Sequence, residues 1–331
     1  GDGRGAIDAP VGALIFGKEN GQLGLNFQGL EGTIASDGAA SGRVKLDGTV
    51  ELPGETQPEP RGDARPLTIS MVGGRFECPL LHTTLRTSGA ERVAQILEKV
   101  EARGLFDADV LIGNDGRASG TIRPTSVALN LAGSKIDAAR ASGVISFERD
   151  QGRFQNLVLE GAQGLAIRAS GGWQEVPASF DASQPSVVAD ASPSVTVQAE
   201  IELDDSTLSP ALVAALPVAA QGVLKDLSVK VDGPVSMRDG TLSLVVGPEG
   251  DVGAFQFSGR VGVAQASMVA GVTATDATGT IEIGIERQSA GQSPSFEVWS
   301  LLDSVLVAGV SATGARARVA GSGDGRVLVP L

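Results

Sequence analysis

His82, in the run "CPLLHTTLR", is the sole histidine of the chain, and Cys78, four residues earlier, is the sole cysteine. A thiolate and an imidazole at this spacing are half of a tetrahedral zinc site, and two carboxylates would have to complete it. The segment reads as extended, which places both side chains on one face. A structural histidine on a strand accounts for it without further ligands, and Cys78 reads as a small buried hydrophobe. A relay of Ser, His and Asp would need a nucleophile beside that ring. The chain has no G-x-S-x-G, no S-x-x-K set, no P-loop and no G-x-G-x-x-G opening a helix. Asp107 with Asp109 and Asp204 with Asp205 cluster carboxylates without an EF-hand or β-roll pattern, so they read as strand and turn residues facing water. Arg61-Gly62-Asp63 has the form of an integrin tripeptide, in a Pro-rich acidic loop. No catalytic residue, metal ligand or cofactor site emerges, and the chain reads as a non-enzyme.

Charge narrows the partners. With 39 acidic against 26 basic residues the net charge is −13, and the Lys and Arg residues are scattered. Nucleic acid needs a basic footprint, so it is not an expected partner, and an anionic membrane surface is disfavoured for the same reason. Two Trp and no Tyr leave little for a sugar-stacking platform. One cysteine permits no intrachain disulfide and leaves the compartment open. No apolar run approaches the ~20 residues of a membrane-spanning helix. Beginning at Gly1, the sequence reads as a processed chain or excised fragment, with any anchor of its parent lying outside it.

The elements that would position side chains are overwhelmingly strands. "SVTVQAEIELDD" sets Val195, Val197, Ala199, Ile201 and Leu203 against Thr196, Gln198, Glu200 and Glu202. The same alternation places Leu23, Leu25 and Phe27 on one face, and likewise Val127, Leu129 and Leu131. It recurs with Leu227, Val229 and Val231, with Phe255, Phe257, Val261 and Val263, and with Ile281, Ile283 and Ile285. Alternation of this kind marks antiparallel sheet with one solvated face, since parallel strands buried on both sides read as continuous apolar runs. Asp-Gly at 37–38, 47–48, 115–116, 232–233, 239–240 and 324–325 predicts tight hairpins and hence a long meander. Two helices interrupt it. One covers 88–104, with Ser88 and Glu91 at capping-box spacing, Val93, Ile96, Leu97 and Val100 as its apolar stripe, and Gly104 as its C-cap. The other covers 209–224, with Ser209 as cap, Pro210 in the first turn and Pro217 ending or kinking it. Residues 53–66, 174–194 and 286–295 read as loops.

Segments recur. "RASGVISF" (140–147) and "DATGTIEI" (276–283) share one form, and "RASGTI" (117–122) and "LEGTIA" (30–35) share its Gly-Thr-Ile centre. Helix followed by strand ladder also recurs. The expected organisation is the strand-rich end of a preceding repeat at 1–87, one helix-plus-ladder repeat at 88–207 and a second at 208–331.

Gly-rich amphipathic strands, the "DATGTI" segments, and the short "ALVAALP" helix before a strand ending in "VDG" together resemble the repeats of the AsmA-like family, which includes TamB-like proteins. That resemblance implies a mostly β fold: an elongated, twisted antiparallel sheet forming an open U-shaped hydrophobic groove, with two short helices. It implies a bridge-like conduit that holds phospholipid acyl chains and moves phospholipid between inner and outer membranes. It also implies a periplasmic, cell-envelope location, a parent anchored in the inner membrane, and envelope proteins of both membranes as partners. Strands of ~9 residues are ~30 Å long, and about 20 of them stack to a body on the order of 90–100 Å. The expected groove lining is Leu23, Leu25, Phe27, Val127, Leu129, Leu131, Val195, Val197, Ile201, Leu203, Phe255, Phe257, Val261, Val263, Ile281, Ile283 and Ile285, with Arg140, Arg260 and Arg316 as candidates for its rim. The same alternation would equally fill an ordinary core. A structural or adhesive β-protein, built of tandem sandwiches or an envelope stalk without lipid cargo, is the alternative.

Overall fold

The computed structural model describes residues 5–19, 22–36, 39–51, 66–87, 94–95, 97–98, 100–113, 117–131, 134–148, 151–161, 164, 166–176, 194–216, 221–222, 225, 230–247, 252–269, 273–289, 292–322 and 326–328. The fold is mostly β: a large antiparallel sheet that does not close, with two short helices, α1 (Pro79–Thr87) and α2 (Pro210–Ala215), among the described residues. The loops expected at 53–66 and 174–194, the tripeptide at 61–63, the Ser88–Glu91 cap and Leu227 and Val229 lie wholly or mainly outside those residues.

The chain divides into two compact units, one of residues 1–128 with 142–152 and one of 129–141 with 153–331. In the first, β1 (Gly5–Glu19), β2 (Gln22–Ser36), β3 (Ala39–Glu51), β4 (Leu67–Arg75), β5 (Leu105–Ile112) and β6 (Ala118–Pro124) pair in sequence order, all antiparallel. β6 then pairs with β9 (Arg140–Glu148). β7 (Val127–Leu131) and β8 (Ser134–Ala138), most of which belong to the second unit, form a separate two-stranded sheet. In the second unit, β11 (Ala166–Val176), β12 (Ser194–Thr207), β14 (Pro234–Val246), β15 (Val252–Val269), β16 (Thr273–Arg287), β17 (Ser295–Val307), β18 (Val310–Ser322) and β19 (Arg326–Leu328) pair in that order. The short β13 (Lys230–Asp232) lies beside the far end of β15. β10 (Gln151–Glu160) hands a hydrogen bond to β11, from Asn156 N to Ser170 Oγ at 3.0 Å.

Three expectations change. Residues 79–87 are helical rather than extended. Cys78, Leu81, His82 and Leu85 fall at i, i+3, i+4 and i+7, and these are the residues that turn inward, with Pro79 at the first turn. The helix expected over 88–104 shows helical residues only at Ala94, Gln95, Leu97 and Glu98 among those described, and it stops before Gly104. Ala102 N bonds Leu97 O at 2.9 Å and Glu101 N bonds Glu98 O at 3.0 Å, a Schellman pattern with Glu101 in the left-handed position at φ 49°. Gly104 serves the next turn instead, where φ is 121° and a Cβ would overlap the Ser126 carbonyl. Finally, Asp47-Gly48 and Asp239-Gly240 lie inside β3 and β14, and Asp232-Gly233 at the β13–β14 junction, rather than in hairpin turns. The positive φ that suits a hairpin also suits a bulge or kink. The pairs at 37–38, 115–116 and 324–325 are outside the described residues.

α2 follows expectation. Ser209 Oγ accepts from Leu212 N at 3.2 Å, and the helix ends at Leu216. Gln221 Nε2 then donates to the Leu216 carbonyl at 2.7 Å, satisfying a group left over at the helix end.

Candidate functional site

In the second unit, register converts alternation into transverse apolar rows. Val197 stands beside Leu244, and Leu244 beside Phe255. Ala199 leads to Leu242, Phe257, Ile285 and Phe296 on successive strands. Leu203 leads to Met237, Val261 and Ile281. Between these rows Ile201 meets Gly240, and Gly259 meets Ile283 and then Val298. A Cβ on Gly259 would lie 2.9 Å from Met237 Sδ, so the thioether covers the space two glycines leave open. Leu203, Phe257, Val263 and Ile285 are buried, whereas Val197, Ile201, Phe255, Val261, Ile281 and Ile283 keep partial exposure. One residue of α2, Leu212, is buried with this cluster.

The opposite face of the same strands is wet. Arg260 Nη2 donates to Glu282 Oε1 at 2.9 Å, and Arg318 Nε to Glu297 Oε1 at 2.7 Å. Trp299 Nε1 donates to the same Glu297 oxygen at 2.8 Å, with the Arg318 guanidinium 4.8 Å above its ring. These exposed pairs fix register more than they stabilise. Arg260 therefore belongs to the polar face, Arg140 pairs with Glu160 at 2.9 Å, and Arg316 is exposed.

A crease crosses the apolar face. Gln265 and Asp276, on adjacent strands, adopt φ of 50° and 51°, and Gly233 at the β13–β14 junction and Gly314 on β18 also have positive φ. The β15–β16 register breaks here, and Gln265 N turns to Thr278 Oγ1 at 3.1 Å. Irregularities of this kind bend a strand and increase its twist.

The expected lining is only partly gathered. Val195, Val197, Ile201, Leu203, Phe255, Phe257, Val261, Val263, Ile281, Ile283 and Ile285 lie on the ladder from β12 to β16. Phe27 is on β2 in the first unit, beside Gly48, and Leu23 and Leu25 share that strand, their side chains being outside those described. Val127, Leu129 and Leu131 are on β7, in the separate small sheet, where the Leu131 side chain is likewise outside those described. Sequence reasoning missed Val235, Met237, Leu242 and Leu244 on β14, because the extra residue at Asp239-Gly240 shifts the alternation by one. Phe296, Leu302 and Val305 on β17 were hidden by a similar change of phase.

In the first unit, part of the apolar sheet face is covered among the described residues. Phe76 and Phe106 meet with ring centroids 4.6 Å apart, and Leu81 of α1 with Leu97 and Val100 packs over them. Cys78 is buried with Ile34 and Val44. His82 Nε2 donates to the Phe76 carbonyl at 2.8 Å, and Nδ1 lies 3.2 Å from Glu98 Oε1, off hydrogen-bond direction. Glu98 is also held by Arg86 at 2.7 Å. Asp109 accepts from Arg123 Nη1 and Ser70 Oγ, both at 2.9 Å, and these bonds hold its carboxyl below the ordinary value. Asp107 accepts from Gly73 N at 2.8 Å. Both carboxylates are thus engaged within the fold.

No protein-family model matches the chain, and no curated protein or solved structure does either.

Proposed function

We propose that this chain is a non-enzymatic lipid-binding segment, whose apolar sheet face in the second unit holds acyl chains as part of a conduit moving phospholipid between membranes. The observation that carries the reading is the single-sided ladder from β12 to β18. Its apolar residues stand beside one another across β12, β14, β15 and β16, its central residues Ile281 and Ile283 keep partial exposure, and its ion pairs lie on the opposite face. Moving such surface out of water gains about 25 cal/mol per Å², and each lipid CH₂ placed on it about 0.8 kcal/mol. Aliphatic side chains make a lining without directional demands, which suits a mobile chain. The crease would curl the face around its cargo. By resemblance to AsmA-like repeats, the setting is the periplasm of a two-membrane envelope, with partners in both membranes.

Native mass spectrometry of the purified chain, with lipid extraction of the same sample, tests this. Phospholipid that co-purifies and is lost on Ile283→Asp is the expected result. A folded chain free of lipid, which also takes up none when incubated with phospholipid, would move the assignment to a structural β-protein.

A further inference from the structure

Along β16, Ile281, Ile283, Ile285 and Arg287 share one face, so the apolar stripe ends in a guanidinium. Arg287 is held there: Nε donates to Gly253 O at 3.0 Å, Nη2 donates to Val252 O, and the charge sits 5.2 Å from the centroid of Phe255. Two carbonyls and a ring orient this cation, and no carboxylate neutralises it among the described residues. Arg238, Arg260, Arg316 and Arg318 of the same ladder are exposed, and Arg260 and Arg318 have glutamate partners on the wet face. A part-buried cation that ends an apolar stripe without a carboxylate partner among the described residues is a place where an anion would add a charge-assisted bond.

We infer that Arg287 is a head-group site: it binds the phosphate or carboxylate of an anionic amphiphile whose tail lies on the partly exposed patch of Phe255, Ile281 and Ile283. Nη1, which the fold leaves without a partner among the described residues, supplies the free N–H groups, and a charge-assisted bond to an anion is the strong kind. This rests on the lipid reading and adds to it a preference for negative head groups, which an aliphatic lining by itself does not provide.

The test uses the full chain with two fluorescent lipids of matched acyl chains, anionic phosphatidylglycerol and uncharged diacylglycerol, titrated below their aggregation limit. The unmodified chain is expected to bind the phosphatidylglycerol about tenfold more tightly. Arg287→Gln should erase that preference while leaving diacylglycerol binding unchanged, and Arg287→Lys should retain part of it. Circular dichroism melts of both variants confirm folding. An unchanged preference in a folded Arg287→Gln chain overturns the head-group site while leaving the lipid reading intact. Failure of the unmodified chain to bind either lipid sinks both. Displacement of phosphatidylglycerol by millimolar inorganic phosphate, equally with short and long tails, would mean a free-anion site and overturn the amphiphile.

Discussion

Ala266 and Ala277 face one another across β15 and β16, and both are wholly buried, at 0% exposure. They sit at the crease, each next to a residue with left-handed backbone. The bend brings neighbouring chain so close that only a methyl group fits; Gly233, opposite, would set a Cβ 2.9 Å from the Ala266 Cα.

Enlarging either alanine should therefore overpack the crease. Ala277→Leu is expected to cost about 1–3 kcal/mol, read as a lowered urea midpoint with unchanged slope. Gln265→Gly relieves the left-handed strain and should stabilise by up to about 1 kcal/mol in the same assay.

Two neighbouring isoleucines separate a lining role from a core role. Ile283 keeps partial exposure, whereas Ile285 is 4% exposed. Ile283→Asp should leave the melting transition cooperative and abolish lipid binding. Ile285→Asp buries an unpaired carboxylate and should lose cooperative folding outright, measured by thermal denaturation.

At the end of the helical stretch near residue 98, Glu101 adopts a conformation that glycine takes without strain. Glu101→Gly is expected to raise stability by about 0.5–1 kcal/mol, and Gly104→Ala to lower it by more, because there both φ and the Ser126 carbonyl oppose a Cβ. Differential scanning calorimetry of the two variants gives opposite shifts.

His82→Phe preserves the ring's bulk and leaves the Phe76 carbonyl without its donor. The expected cost is about 1–3 kcal/mol in urea denaturation. A neutral result would mean that water replaces the ring nitrogen.

For Asp109 the sign follows from its lowered pKa. The contribution is present above the unfolded value near ~4 and is lost as pH falls through the lower folded value. Asp109→Asn should flatten that part of the acid limb, seen as converging urea midpoints of the two proteins below about pH 4. Its side chain is 54% exposed, so the effect is small and salt-sensitive.

Strand existence and facing were legible wherever alternation ran unbroken, as from Val195 to Leu203 or Ile281 to Ile285. It failed where one inserted residue reversed the phase, as at Asp239-Gly240, since side-chain direction has a period of two. α1 was misread because nine residues with Thr83 and Thr84 offer a weak helical signal, although the spacing of Cys78, Leu81, His82 and Leu85 contained it. Arg287 escaped notice because a charge closing a strand reads as an end signal. Only the register shows that it continues the apolar stripe.

The crease has a mechanical meaning. Flexing a regular sheet strains its ladder bonds, but at Gln265 and Asp276 the backbone has already left the regular register. Bending about that seam therefore breaks little. The second unit is expected to flex along this line before it flexes elsewhere, which faster amide exchange at Gln265 and Asp276 than in the regular ladder on either side would show.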